Sequence, residues 1–197
     1  MKKFKYSLVF ALLLFAFGIT NVDALTITED TTLTDDINEQ VVVDGEKVTI
    51  NLSGHKISPS NSGIDGMVIT GGADVTIKGK GSVESGHNGI TVESNSKLTL
   101  ESGDIISSEF GVYTKGTATF TMNGGTITAN DNCGLGGNGN AENGGYTVNI
   151  NGGTVTSNIK TNGYVSCVVY HPNAGTVNIN GGTINITANS AFDYDGT

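Results

Sequence analysis

The tetrapeptide Asn-Gly-Gly-Thr occurs three times in this chain, at residues 123–126, 151–154 and 180–183. Each copy stands in the same longer phrase, in which two apolar residues separated by a polar one come first and an apolar residue follows. A phrase that recurs every few dozen residues is typical of proteins built from stacked structural repeats. This repeat constrains the architecture more strongly than the local propensity of any segment.

The apolar–polar–apolar part of the phrase recurs along most of the chain. Its second apolar residue falls, at intervals of 27, 23, 22, 28 and 29 residues, on six positions: Ile50, Ile77, Leu100, Met122, Ile150 and Ile179. Beyond residue 24 no segment shows the apolar spacing of an amphipathic helix. Periods of this length without a helical pattern indicate a β-solenoid. We therefore expect an all-β fold of about six coils, each with three short strands.

The asparagines of the repeated tetrapeptide, Asn123, Asn151 and Asn180, are expected at one corner of the solenoid. A sharp corner needs a positive φ, which Gly adopts at no steric cost and Asn tolerates. Stacked at equivalent positions, the three amides can hydrogen-bond from coil to coil as a structural ladder. Direct binding of a ligand by these asparagines is the alternative.

The first 24 residues have the composition of a secretory signal peptide. Lys2, Lys3 and Lys5 give a basic start, residues 8–19 form an apolar run, and short side chains lead up to Ala24. That run is shorter than the about 20 residues that span a bilayer, so no membrane span is expected after cleavage. We predict removal of residues up to Ala24 and a secreted or cell-surface protein. An uncleaved anchor is the alternative.

The two ends of the predicted solenoid differ. Residues 25–40 are rich in Thr, Asp and Glu and lack the repeat, so they are predicted to form an N-terminal cap. The repeated coils are predicted over residues 41–197. Either Phe192 and Tyr194 cover the last coil, or the natural chain continues past Thr197. In the second case open strand edges could associate end to end with another chain.

The charge of the chain excludes several classes of partner. The sequence contains no Arg, and the net charge of −9 becomes −11 once Lys2, Lys3, Lys5 and Asp23 are removed with the signal peptide. Arg is the preferred residue for phosphate and carboxylate contacts. Nucleic acid and anionic polysaccharide are therefore not expected as partners, and a neutral polysaccharide or cell-surface glycan is favoured.

The repeated phrases resemble those of a known superfamily. Residues 48–57 are similar to the opening phrase of secreted bacterial β-helix proteins, and the later Gly-Gly-Thr-Ile phrases are similar to their repeats. The chain over residues 26–197 thus resembles the right-handed parallel β-helix superfamily, which has the pectin-lyase-like fold. The resemblance implies right-handed three-strand coils but no single activity, because enzymes, adhesins and phage fibres share such repeats.

The catalytic patterns of this superfamily are not found in the sequence. Its pectate lyases use a basic catalytic residue, commonly Arg, with acidic calcium ligands, and this chain has no Arg. Its polygalacturonases carry clustered Asp residues and a Gly-His-Gly motif, which residues 86–89 match only in part. We therefore predict no catalytic residue, no metal site and no cofactor.

Two cysteines lie at equivalent positions of successive coils. Cys133 and Cys167 both come just before an apolar first strand. Exported proteins commonly contain disulfides, and residues stacked one coil apart lie within the Cα range that a disulfide allows. A disulfide is predicted between them, with two buried free thiols as the alternative.

Two tyrosines are expected on the outer side of the first strand. Tyr113 and Tyr170 would lie two coils apart, with Gly136 between them as the floor of a shallow groove. Exposed aromatic rings flanked by polar side chains suit the binding of sugar rings. These residues are the predicted carbohydrate-binding site. The alternative is that Tyr is simply accepted on an exposed strand.

Taken together, these features predict a non-catalytic module for adhesion or carbohydrate recognition, secreted or held at the cell surface. One alternative is a polysaccharide lyase or glycoside hydrolase of the pectin-lyase-like fold. Another is a segment of a phage or cell-surface fibre.

Overall fold

The computed structural model describes residues 24–138, 145–159, 167–171 and 174–188. Within these residues all regular secondary structure is β-strand. The predicted signal peptide lies outside the described residues except for Ala24, and so do Phe192 and Tyr194. In the described part of the chain there is no helix with the length and apolarity needed to cross a bilayer.

The strands form three sheets, and the chain passes from sheet A to sheet B to sheet C in each coil. In sheet A, neighbouring strands are β1 (Leu25–Thr26), β3 (Val41–Asp44), β6 (Met67–Thr70), β9 (Ile90–Val92), β12 (Val112–Thr114) and β15 (Leu135–Gly137). In sheet B they are β2 (Thr31–Thr32), β4 (Lys47–Asn51), β7 (Asp74–Lys78), β10 (Lys97–Leu100), β13 (Thr119–Met122), β16 (Tyr146–Ile150) and β18 (Gly175–Ile179). In sheet C they are β5 (Lys56–Ile57), β8 (Ser82–Ser85), β11 (Asp104–Ser107), β14 (Thr126–Ala129), β17 (Thr154–Ile159) and β19 (Thr183–Ala188).

Every strand pairs in parallel with the strand at the same position of the next coil. Ile150 lies opposite Ile179, and Val48 lies opposite Val75, as the repeated phrase requires. The predicted all-β solenoid of stacked three-strand coils is therefore confirmed. Parallel pairing places equivalent residues in columns separated by ~4.8 Å per coil.

The number of complete coils is smaller than predicted. Five coils in the described residues contain a strand in all three sheets, whereas the sequence predicted about six. The sixth copy of the repeated phrase does form β18 in sheet B. In sheet A, however, the described part of the same coil makes only an isolated bridge between Leu135 and Val169. The repeat marks the strands of sheet B, so it also counts this incomplete coil.

Residues 25–40, which the sequence assigns to a cap, follow the same winding. β1 pairs with β3 and β2 pairs with β4, both in parallel. Ile37 makes an isolated parallel bridge to Ile57 of sheet C. Ile27 and Leu33 are buried at this end of the core.

The core consists of the inward columns of the three sheets. In β4, Val48 and Ile50 are buried while Lys47 is exposed, because alternate residues of a strand face opposite sides. The column that begins at Ile50 remains fully buried as far as Ile150, which is 1 % exposed, and its last member Ile179 is 56 % exposed. Each coil thus depends on its neighbours to cover its apolar side chains.

Four glycines stack where the chain enters sheet A: Gly66, Gly89, Gly111 and Gly134. A Cβ atom on Gly111 would lie 2.2 Å from Cγ2 of Ile127 and 2.6 Å from the carbonyl oxygen of Gly134. Glycine is required here because the next coil and the neighbouring sheet approach too closely for any side chain.

Replacing Gly111 with alanine should lower the free energy of unfolding by about 1–3 kcal/mol, since the added methyl group overpacks the corner. The matched control is Gly63→Ala, because a Cβ there meets only the Asn61 side chain at 3.4 Å and should have little effect. Urea unfolding followed by circular dichroism measures both variants. Equal stabilities of the two variants would contradict the close approach at Gly111.

Candidate functional site

The candidate site lies on the outer side of sheet A, near the C-terminal end of the described coils. Tyr113 of β12 pairs directly with Gly136 of β15. The bridge between Leu135 and Val169 places Tyr170 next in the same column. The structure thus puts both predicted tyrosines and Gly136 in one column. Tyr113 is half-buried, and Tyr170 is 46 % exposed.

The predicted groove above Gly136 is absent, because the ring of Phe110 occupies it. A Cβ atom on Gly136 would lie 2.2 Å from Cε1 of Phe110. The Phe110 ring also packs against Tyr113, with 5.0 Å between centroids and an angle of 36° between the planes. The physical reason is that the missing side chain at position 136 leaves apolar room, which the ring from the previous coil fills. We call Phe110, Tyr113 and Tyr170 the aromatic face.

The repeated phrases of the sequence do not single out Phe110. Phe110 lies at the corner between sheets C and A, one residue before Gly111. Asn88 occupies the same position of the previous coil, and its Oδ1 atom accepts a hydrogen bond from the Phe110 backbone N–H at 3.3 Å. The sequence does show that this coil has a large aromatic residue at the position that Asn88 and Cys133 occupy in the neighbouring coils. That signal is weak, because a single corner residue follows no repeat.

The short segment 167–171, which carries Tyr170, is held by a disulfide and by hydrogen bonds to Leu135 and Tyr146. Cys133 and Cys167 form a disulfide with 5.2 Å between their Cα atoms. The backbone N–H of Tyr170 donates to the carbonyl oxygen of Leu135 at 2.9 Å. The hydroxyl of Tyr146 donates to the carbonyl oxygen of Tyr170 at 2.7 Å. These ties orient the Tyr170 backbone while its ring remains exposed.

Tyr146 reaches Tyr170 from inside the solenoid. Its ring is almost fully buried in β16, and a Cβ atom on Gly137 would lie 2.5 Å from its Cε1. It also packs against His171, with 6.4 Å between ring centroids. Burial raises the pKa of Tyr146 from 10.0 to about 12 because it disfavours the phenolate, and the nearby Tyr170 adds to the increase.

Tyr146 should make the stability of the protein fall at alkaline pH. Its pKa is higher in the folded than in the unfolded state, so its contribution is complete below pH 10 and is lost as the pH rises to about 12. Phenolate absorbance should therefore show an ionisation step at about pH 12, roughly two pH units above the ordinary tyrosine value of 10.0. Tyr146→Phe should remove this late step and Tyr113→Phe should retain it. A late step that persists in Tyr146→Phe would contradict the assignment.

The charged side chains beside the aromatic face have partners. Lys115, just after β12, has its Nζ atom 2.7 Å from a carboxylate oxygen of Glu93. Glu109, next to Phe110, accepts a hydrogen bond from Nδ2 of Asn132 at 3.1 Å. Lys115 is neutralised by Glu93 and the carboxylate of Glu109 would repel an anion, so the surroundings of the face disfavour an anionic ligand.

The repeated asparagines lie at the corner between sheets B and C, away from sheet A. Nδ2 of Asn180 donates to Oδ1 of Asn151, and Nδ2 of Asn151 donates to Oδ1 of Asn123, both at 2.9 Å. Asn123 in turn donates to a carboxylate oxygen of Glu101 at 2.9 Å. A carboxylate can only accept, so Glu101 sets the direction of every amide in the ladder.

The residue that has the positive φ at this corner is glycine alone, whereas the sequence suggested that Asn could adopt it as well. The second glycine of each tetrapeptide carries it, with φ of 82° at Gly125, 84° at Gly153 and 89° at Gly182. No Asn of the ladder has a positive φ. The asparagines therefore serve the corner through their side-chain hydrogen bonds, and glycine supplies the turn.

A histidine–aspartate pair lies at the corner between sheets C and A. Nδ1 of His87 is 2.5 Å from a carboxylate oxygen of Asp65. The Asp65 side chain is 14 % exposed. A shallow groove of about 280 Å³ lies beside Gly86 and contains Glu84 and several serines. Within the described ranges, no three His, Cys, Asp or Glu side chains are grouped so that they could hold a metal ion.

Comparisons with known proteins do not add a family to this picture. No protein-family model matches the chain, and neither curated proteins nor solved structures give a match.

Proposed function

We propose that this chain is a secreted or cell-surface β-solenoid that recognises a neutral carbohydrate without catalysing a reaction on it. We assign it to the right-handed parallel β-helix type with the pectin-lyase-like fold. The single observation that carries the functional proposal is the aromatic face, in which Phe110, Tyr113 and Tyr170 lie on the outside of a parallel sheet.

Physical chemistry supports a sugar as the ligand of this face. Aromatic rings stack on the apolar faces of sugars, and a tyrosine hydroxyl can also bond a sugar hydroxyl. The scaffold is ordered by strand pairing and by the disulfide, so little conformational entropy is lost on binding. Export by a signal peptide would place the face where extracellular glycans occur.

A glycan array with the purified chain tests the proposal. The wild type should bind a restricted set of neutral glycans, and Tyr113→Ala/Tyr170→Ala should lose that signal. The matched control is Thr76→Ala/Thr99→Ala, because these two half-buried residues form an outward column on sheet B, away from the aromatic face. Equal binding by the wild type and the tyrosine variant would remove the aromatic face as the site.

The second candidate function is a polysaccharide lyase or glycoside hydrolase, and the pair of His87 with Asp65 favours it. An imidazole oriented by a carboxylate can act as a general base. The test is the release of unsaturated or reducing sugar ends from polysaccharides, with His87→Ala as the variant. Release by the wild type that is abolished in His87→Ala would replace the binding proposal with an enzymatic one.

A further inference from the structure

The spacing of the aromatic face restricts the kind of glycan that it can bind. Tyr113 and Tyr170 occupy one column with Gly136 between them, so their backbones are two coil spacings apart. Two spacings of a parallel sheet amount to roughly 10 Å along the solenoid axis. A ligand that follows the column and contacts both tyrosines is therefore expected to present similar surfaces at about this backbone spacing.

Linear β-1,4-linked hexopyranose chains have such a repeat. Each residue is turned by about half a turn from the one before it, so that residues i and i+2 present the same ring face, and two residues advance by nearly two coil spacings. An α-1,4-linked chain curls and does not keep equivalent ring faces at this repeat. The spacing of the two tyrosines therefore favours a β-1,4 linkage, in addition to a pyranose ring.

The ring between the two tyrosines completes the surface. Phe110 covers Gly136, the residue that separates Tyr113 and Tyr170 in the column. The intervening sugar therefore meets an apolar ring in place of an empty groove. Lys115 is already paired with Glu93, so its positive charge does not attract an anionic chain in preference to a neutral one.

We infer that the aromatic face binds a linear, neutral, β-1,4-linked hexopyranose chain that lies along the solenoid axis. The inference rests on the proposed function and adds the linkage, the direction and the minimum length of the ligand. At least three consecutive residues are needed for one chain to reach both tyrosines.

Isothermal titration calorimetry with cello-oligosaccharides of increasing length tests the inference. Affinity should rise about five- to tenfold between the disaccharide and chains of three or more residues, when the second tyrosine is first reached. Malto-oligosaccharides of the same lengths should bind more weakly and show no such rise. Manno-oligosaccharides with β-1,4 linkages should behave like the cello series.

Two variants at one position separate the ring from the hydroxyl. Tyr170→Ala should abolish the increase with length, whereas Tyr170→Phe should retain the increase. The exposed side chain makes both changes compatible with folding. Equal affinity for the cello and malto series, or affinity independent of length, would overturn the inference and leave carbohydrate recognition standing. Absence of binding to every glycan on the array would overturn the proposed function itself.

Discussion

Replacing Phe120 with alanine should lower the free energy of unfolding by about 3–5 kcal/mol. Phe120 is fully buried in β13, in the middle of the stack, and its column neighbours are Leu98 and Val148. The loss combines the transfer free energy of the ring with the cavity that it leaves, and the narrow core has no spare side chain to fill that cavity. Urea unfolding followed by circular dichroism gives the value.

The control for this prediction is Ile106→Ala. Ile106 is also a strand residue, but it faces outward from β11 and is 38 % exposed, so its loss should cost less than about 1 kcal/mol. Similar losses for Phe120→Ala and Ile106→Ala would contradict the assignment of inward and outward columns.

Removing the disulfide should have the next largest effect. The bond joins residues 34 positions apart, and closure of a loop of that length is worth about 3–4 kcal/mol in the chain-entropy model. Cys133→Ser/Cys167→Ser should therefore be less stable than the wild type by that amount in urea. The wild type should lose the same stability when it is treated with a reductant.

The double variant is also the control, because reductant should leave its stability unchanged. A wild type that is equally stable with and without reductant would show that the bond does not contribute. Since the disulfide holds the segment that carries Tyr170, its loss should also weaken glycan binding while the affinity contributed by Tyr113 remains.

The sequence predicted the architecture because every coil of a solenoid needs apolar and polar residues at the same positions, which appear in the sequence as a repeat. Each coil repeats the same inward and outward alternation, so the sequence alone is enough to pair Ile150 with Ile179. The same matching placed Tyr113 and Tyr170 in one column, and it placed Cys133 opposite Cys167. Columns of this kind follow from a period and need no knowledge of side-chain packing.

The features that the sequence did not predict depend on packing at single positions. Phe110 covers Gly136 because a missing side chain leaves room for a ring from the previous coil, and no repeat records that contact. Glu101 anchors the asparagine ladder from a coil that lacks the tetrapeptide. Tyr146 holds the Tyr170 carbonyl from inside the core, a contact between single side chains and backbone that no repeated phrase records.

Aromatic ¹H–¹³C spectra recorded while cellohexaose is added test the central claim most directly. The account predicts that the ring signals of Phe110, Tyr113 and Tyr170 shift together along one binding curve, while those of buried Phe120 keep their positions. Binding of cellohexaose that calorimetry detects but that leaves these three ring signals unchanged would contradict it.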